Sequence, residues 1–437
     1  MTKRALVINP WVTDFKLYDE WMHPLGLYFL ISLLTHNRWE VHYSNCLERD
    51  SALKTKRHNT GDFSSQEIQK PQLYSAIHRT YKQYGISRDL FLCKLCSISK
   101  PDIIFVGTSM TYWFTGVINT VALIRSVYPD LPVILGGISA TLMPEIVRKA
   151  LPDCIIFPGS LFVHIKKLAS LHPRLADLSA AQWPGSLIDA LDLAQPRFHG
   201  PLLSTLGCPF RCTFCGSFLL HDRFTVRSLA AVINELSHCI DRYHITDFAF
   251  YDDALLFQAE NTFFPLTDAI ASLKTPFRIH CPNGLHARFI TDRAAERMAK
   301  CGFKTIRLGY ESGNLQYRNE TSAKTSRQEL AVKITLLHSR GIALSDVGVY
   351  VMAGLPGQKP AEVLEDIRTI SSLRVKVKPV FISPVPGTPV FATYASRFPE
   401  LATDFLTHND TYFITTLPGW DYESLLRIKE AAKEANR

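Results

Sequence analysis

The chain has no apolar run long enough to cross a membrane. A spanning helix takes about 20 apolar residues, and Leu25 to Leu34 falls well short of that. The basic, briefly apolar stretch Met1 to Pro10 is too short for a signal peptide. Cysteine is sparse, ten in 437 residues, which excludes a disulfide scaffold and fits a reducing, cytoplasmic setting. Charge is only mildly unbalanced: 48 Lys and Arg against 40 Asp and Glu give a net +8, spread along the chain. There is no appended basic module and no basic–aromatic cluster of the kind that grips nucleic acid. A solvated basic surface accounts for the charge, and acidic substrates stay permitted. The remaining composition, 46% hydrophobic and 20% charged, is that of a globular protein with a sizeable core. The length exceeds one ordinary domain, so two are expected.

What the chain does have is a cluster of thiols. Within Thr205 to Ser217 stand Cys208, Cys212 and Cys215, separated by three residues and then two. Three cysteines this close cannot be tied off as disulfides without leaving one over. Thiolate is the ligand of iron–sulfur clusters. Three of them on a four-iron cluster leave one iron open to chelate something else. A zinc knuckle or a set of buried structural cysteines is the competing reading, but zinc usually takes four ligands in paired spacing, and no fitting fourth follows. Cys93 and Cys96 form a second short motif in an apolar helical stretch, Leu90 to Ile98. They read as ordinary buried cysteines rather than a redox pair or half a metal site. Cys46, Cys154, Cys239, Cys281 and Cys301 are isolated and read the same way.

The stretch around Cys208, Cys212 and Cys215, with Phe214 before the last cysteine and Gly216 after it, resembles the CX3CX2C motif of the radical S-adenosylmethionine (SAM) superfamily. The resemblance implies a 4Fe–4S cluster on the three cysteines, with the amino and carboxylate groups of SAM on the open iron. An electron from a donor such as flavodoxin or ferredoxin then splits SAM into methionine and a 5′-deoxyadenosyl radical.

Residues 1–165 alternate strands and helices. Expected strands are Ala5 to Pro10, Trp39 to Tyr43, Asp102 to Gly107, Pro132 to Gly137 and Cys154 to Phe157, with a helix from Leu25 to Leu34. The fold class this predicts is α/β, a doubly wound parallel sheet whose ligands lie beyond the carboxyl ends of the strands. Residues 47–100 read as a long, basic, mostly helical insertion. On Asn9-Pro10, His23 to Gly26, Pro101-Asp102, Ser109, Gly136-Gly137 and Ala140-Thr141, this part looks like the cobalamin-binding domain that precedes many radical SAM domains. That resemblance assigns Ser109 to the dimethylbenzimidazole tail and Gly136 and Gly137 to backbone contact with the nucleotide loop. Two features depart from it. The Asp-X-His-X-X-Gly motif of the methionine-synthase type is absent, and Gly159 to Phe162 lacks the acidic residue expected after the last strand. A Rossmann-like domain that no longer binds its cofactor is the alternative.

Residues 166–199 mix Pro, Asp, Ala and His without periodicity and read as a linker. From 200 to 390 six strands recur, at Leu202 to Leu206, Asp247 to Tyr251, Phe277 to Cys281, Thr305 to Tyr310, Asp346 to Met352 and Val380 to Ser383. Six parallel strands with outer helices make a partial (β/α)6 barrel, with its reactive residues at the carboxyl ends. Asp252 and Asp253 are the candidate catalytic carboxylates there. By family resemblance Asn283, Glu311, Ser312, Gly354 and Pro356 line the SAM site, with Pro384 to Pro389 closing the last strand. Lys324 and Arg327 read as surface charge or as contacts to the methionine carboxylate. Residues 391–437 form a C-terminal cap, with Asp410 to Thr416 a short strand or loop and Tyr422 to Asn436 an amphipathic helix.

These features together imply a radical SAM enzyme, a cobalamin-dependent methyltransferase acting on an unactivated carbon of a small molecule. The alternative within enzymes is cyclisation, coupling or rearrangement without bound cobalamin. Outside enzymes it is a cluster-containing sensor. A lipid, a peptide, an antibiotic precursor and a tetrapyrrole are not distinguished as substrates.

Overall fold

The computed structural model describes residues 2–273, 275–314 and 325–437. The chain divides into two compact units. One is Met1–Phe198 with Thr403–Thr407, and the other is His199–Ala402 with His408–Arg437.

The first unit contains β1 (Arg4–Asn9), β2 (Val12–Asp14), β3 (Glu40–Asn45), β4 (Ser65–Glu67), β5 (Lys82–Tyr84), β6 (Ile103–Thr108), β7 (Val133–Gly137) and β8 (Ile155–Phe157). Five of these make a wholly parallel sheet in the order β3-β1-β6-β7-β8. The runs Ala5–Ile8, Ile103–Val106 and Val133–Leu135 are buried throughout, as central parallel strands require when helices cover both faces. The order reverses direction between β1 and β6. That is the switch point where doubly wound sheets bind ligands.

The insertion differs from its sequence reading. Residues 47–100 hold one α-helix, Arg88–Ser97, and their other regular elements are short. The strands β4 and β5 join β2 in a small antiparallel sheet, order β2-β5-β4. Gly61, Pro71 and Gly85 interrupt any helical run. Gly85 sits at φ +116°, where a Cβ would come within 1.9 Å of the Cys46 carbonyl oxygen. Phe15, Tyr74 and Tyr81 meet in a ring cluster with centroids 5.2 to 5.6 Å apart. Cys93 and Cys96 are exposed rather than buried. Their helix turns Phe91 and Leu95 to the core, and the cysteines fall on its other side.

Residues 166–199 fold onto the first unit instead of running free. Trp183 and Phe162 pack edge-on against Phe29, at 4.9 and 4.2 Å. Asp177 takes hydrogen bonds from Trp39 Nε1 (3.1 Å) and Lys3 Nζ (2.8 Å). Their apolar residues follow the surface they cover, not a helical or strand period. From the tail, Leu406 accepts from Tyr74 Oη at 2.7 Å and Phe405 packs on Phe114 at 5.4 Å.

The second unit contains β9 (Gly200–Leu202), β10 (Thr205–Leu206), β11 (Thr225–Val226), β12 (Asp247–Phe250), β13 (Arg278–His286), β14 (Phe303–Glu311), β15 (Val347–Ala353) and β16 (Lys376–Phe381). Six of them form a parallel sheet in the order β16-β15-β14-β13-β12-β9. It is open between its first and last strands, hence a partial barrel. Ser228, Thr291 and Ser326 cap the amino ends of three outer helices, Leu229–Tyr243, Asp292–Lys300 and Arg327–Ser339. The edge of β16 is closed by the C-terminal helix Tyr422–Ala435. Its cap Asn436 bonds both the N–H (2.7 Å) and the C=O (2.8 Å) of Val377. Asp410–Phe413 is a helical turn, not a strand, because Asn409 caps it through the N–H groups of Thr411 and Tyr412.

Gly116, in the helix Phe114–Val127, is a tight packing point of the first unit at a backbone conformation any residue can adopt. A Cβ there would lie 2.0 Å from the Trp11 carbonyl oxygen. Gly116→Val is expected to destabilise the protein by about 3 kcal/mol or more, since backbone must move to admit it. Denaturant unfolding of the variant at parental stability would refute this.

Candidate cluster and cofactor site

The cysteine loop is anchored before it begins. Leaving β9, the chain passes Leu203, Ser204 and Thr205, and the buried carboxylate of Asp252 takes hold of it. Ser204 donates through its N–H (3.1 Å) and hydroxyl (2.5 Å), and Thr205 through its N–H (2.6 Å) and hydroxyl (2.7 Å). A second brace is the buried pair Arg227–Glu235. Arg227 Nη2 meets Glu235 Oε1 at 2.5 Å, and Nη1 donates to the Leu203 carbonyl at 2.9 Å. The ends of the loop then pair as β10 and β11, Thr205 with Val226 and Leu206 with Thr225. Gly207 turns the chain at φ +76°, where a Cβ would lie 2.8 Å from the Arg223 carbonyl oxygen.

Within the loop the Cys215 N–H donates to the Cys212 carbonyl at 3.0 Å. Cys212 is buried, and Cys208 and Cys215 are half-buried. Burial pushes the Cys208 thiol up to about 11. The neighbouring Asp253, Cys215 and Cys212 push the same way, against a hydrogen bond from the Phe210 N–H. Burial and these neighbours thus oppose ionisation of the Cys208 thiol unless a cationic centre is added. Three thiols on one short loop suit the thiolate ligation of an iron–sulfur cluster, whereas a closed zinc site takes four ligands. The helix after the last barrel strand, Pro389–Ala395, reaches this loop: the Val390 N–H donates to the Thr213 carbonyl at 3.0 Å. Gly216 precedes the helical turn Ser217–Leu220, and Phe214 is half-buried.

The two candidate carboxylates part company. Asp252 is 2% exposed and fully engaged in bracing Ser204 and Thr205, so its geometry is that of a positioning group and not of a free acid or base. Asp253 is exposed and accepts from the Ser217 hydroxyl, beside the cysteine loop. Asn283 is exposed, and its Nδ2 donates to the Tyr251 carbonyl at 3.2 Å. It lies inside β13, which continues past Cys281 through an irregularity between Cys281 and Leu285.

Glu311 ends β14 in the left-handed region, φ +67°, at a register shift between Gly309 and Glu311. Such a backbone is uncommon for a residue with a Cβ, and bulges of this kind re-aim side chains beside sites. The next residues are held from below by Asp366. It accepts from Ser312 Oγ (3.3 Å) and the Gly313 N–H (3.0 Å). Burial pushes its carboxyl up to about 6, with Glu362 and Glu365 adding to the effect and the bonds from Gly313 and Ser312 opposing it. Gly354 sits at φ +94°. Gln358 builds its turn by accepting from the N–H groups of Gly354 (2.8 Å) and Leu355 (3.1 Å), and Pro356 is half-buried. The sequence reading missed Asp366, Gln358 and the Arg227–Glu235 pair. Each acts through backbone far away in sequence or through a turn with no motif of its own. Arg327 opens its helix on the exposed side, and Lys324 lies outside the described residues.

In the first unit the carboxyl ends of β6 and β7 form a lip. Thr108 Oγ1 donates to the Gly136 carbonyl (3.0 Å) and accepts from the Ala140 N–H (3.1 Å). Gly137, at φ +112°, is exposed, Ser109 is half-buried, and a Cβ on Gly136 would meet nothing nearer than 3.6 Å.

The architecture is thus a doubly wound parallel sheet and an open six-stranded parallel barrel with a three-cysteine loop at the end of its first strand. Residues 202–370 match the family model described as the radical SAM superfamily. The chain is similar to an uncharacterized methyltransferase of Pyrococcus horikoshii, 22% identical over 341 residues, covering 70% of this chain and 72% of the relative. It is also similar to the bacteriochlorophyllide d C-12(1)-methyltransferase of Chlorobaculum tepidum, 26% identical over 206 residues, covering 45% of this chain and 43% of that one. Among solved structures, the radical SAM methyltransferase TsrM from Kitasatospora setae, with cobalamin and a 4Fe–4S cluster bound, shares the fold. Its TM-score is 0.64 at 15% identity, over 91% of this chain and 75% of that one. The cobalamin-dependent radical SAM enzyme OxsB with aqua-cobalamin bound gives 0.58 at 14% identity, over 99% and 62%. The radical SAM match covers residues 202–370, the part of the chain that holds the cysteine loop and most of the parallel barrel.

Two outcomes test the site. Asp252→Ala leaves four donors without their acceptor and is expected to cost about 3 kcal/mol or more and to lower the iron content of the anaerobically reconstituted protein. Full iron loading would show that the brace is dispensable. For Asp366 the folded value, about 6, lies above the usual 3.8. Its contribution to stability is therefore full below pH 4 and is lost as pH rises through 6, a change of roughly 3 kcal/mol. Melting curves of Asp366→Asn should lose this slope between pH 4 and 7, and an unchanged slope would contradict the assignment.

Proposed function

We propose that the protein is a cobalamin-dependent radical SAM methyltransferase acting on an unactivated carbon of a small molecule. The observation that carries the reading is the three-cysteine loop, pinned by Asp252 and the β10–β11 pair at the mouth of an open parallel barrel. When bound, the cluster and SAM supply a 5′-deoxyadenosyl radical and methylcobalamin supplies a methyl group, which is the chemistry side chains cannot perform.

The residues do the rest. Cys208, Cys212 and Cys215 hold the cluster, flanked by Phe214 and Gly216. Asp252 sets the entry of the loop, and Asp253 and Asn283 face the SAM amino group or the substrate. Glu311 offers two acceptor oxygens suited to ribose hydroxyls. Ser312, held by Asp366, fixes that turn. Gly354 and Pro356 present the backbone that meets adenine. Ser109, Gly136 and Gly137 receive the cobalamin nucleotide. The methyltransferase names of two relatives and the cobalamin in two structures of the same fold support this reading. Among the described residues no helix is long and apolar enough to cross a membrane, consistent with a cytoplasmic enzyme reduced by a flavodoxin- or ferredoxin-type donor.

Anaerobically reconstituted protein, reduced with dithionite in the presence of SAM, is expected to release 5′-deoxyadenosine and to carry the visible absorption of cobalamin. Cys208→Ala should abolish the first and keep the second. Absence of 5′-deoxyadenosine in the parent would refute radical initiation. Its release without bound cobalamin would favour cyclisation, coupling or rearrangement, a reading that the missing acidic residue in Gly159 to Phe162 leaves standing.

A further inference from the structure

The inner face of the barrel carries a buried cation, Arg307, that has no ion-pair partner among the described residues. Strand register places Arg307 of β14 beside Gly348 of β15 and Lys376 of β16, and Gly309 beside Tyr350 and Lys378. Laterally paired residues share a face of the sheet. The other face, with Ile306, Leu308, Val347, Val349 and Val377, is completely buried under the outer helices. Arg307 therefore points into the barrel. It is 6% exposed, its Nε has no partner, and it makes no hydrogen bond or ion pair with another described residue.

Gly348 makes room for it. A Cβ there would lie 2.9 Å from Arg307 Nη1 and 3.0 Å from Cδ. On the neighbouring strand Gly284 leaves the Tyr350 ring uncovered, at 3.4 Å from where its own Cβ would be. The Tyr350 hydroxyl is turned away to the Pro282 carbonyl, at 2.6 Å. The guanidinium thus lies against the Gly348 backbone, although burying an unpaired charge costs several kcal/mol.

The nearby carboxylates are already committed. Asp252 serves Ser204 and Thr205, Asp366 serves Ser312 and Gly313, and Asp247 serves Arg278 and His280. No described carboxylate pairs with Arg307, so a ligand can bring its counter-ion. Arg307 lies about 13 Å of strand before Glu311, at 3.3 Å per residue, so it is set deeper than the proposed ribose contact. A guanidinium takes the two oxygens of a carboxylate in one fork, and a carboxylate brings the single charge that balances it.

We propose that Arg307 binds a carboxylate of the substrate inside the barrel, so that the substrate class is a carboxylic acid. This rests on the proposed function, in which the barrel is the reaction chamber. The test uses reconstituted, SAM-loaded protein titrated calorimetrically with benzoate, with neutral benzamide and with inorganic phosphate. Benzoate is expected to bind at least about tenfold more tightly than benzamide. Arg307→Met should erase that difference, Arg307→Lys should keep part of it, and SAM affinity should change less than about threefold in both. Equal binding of benzoate and benzamide by the parent would overturn the proposal, as would tighter binding of phosphate. A parallel loss of SAM affinity in both variants would assign the guanidinium to SAM instead. None of these readings needs turnover. Failure to form 5′-deoxyadenosine with benzoate discrimination intact would remove the proposed reaction and leave the site.

Discussion

A single buried carboxylate sets the geometry on which the site depends. Asp252 ends the second barrel strand and grips the backbone and hydroxyls of Ser204 and Thr205 at the end of the first. Burial raises its carboxyl, and the donors of Ser204 and Thr205 pull the other way. Such a group is stable only while all its partners stay in place. The three cysteines hang from that junction, and Arg227 with Glu235 holds it from the other side. Thiols that repel one another as anions need this: without a rigid base the loop would relax to separate them.

The same logic recurs around the barrel mouth, where strained backbone is held by side chains behind it. Glu311 adopts a left-handed conformation at a bulge, and Asp366 fixes the two residues that follow. Gly354 does so at the next strand end, with Gln358 satisfying the turn. Strain of this kind persists only when the surroundings over-determine it, and it gathers where ligands are to be met. Arg307 extends the pattern inward as a buried cation whose Nε has no partner among the described residues.

Much of this was legible in the sequence. Central parallel strands are buried on both faces, so they appear as unbroken apolar runs such as Ala5–Ile8 and Ile103–Val106, and their alternation with helices points to the sheet class. The cysteine triplet is local, so its spacing alone carries its chemistry. The insertion was not legible: β2, β4 and β5 are three residues each and polar, and they form a sheet only by meeting one another. Residues 166–199 looked structureless for a similar reason, since Asp177 finds its partners in Lys3 and Trp39, and Trp183 in Phe29, far up the chain.

By itself, then, the sequence determined the order of the central parallel strands, the cysteine triplet and the glycines that must turn the chain, because each follows from neighbours within a few residues. Only the tertiary structure decided that Asp252 braces while Asp253 stays exposed, that Cys93 and Cys96 face outward, and that Arg307 lies buried over Gly348. Those outcomes depend on which strand lies beside which, and register between distant segments is set by packing the whole core rather than by any one stretch of residues.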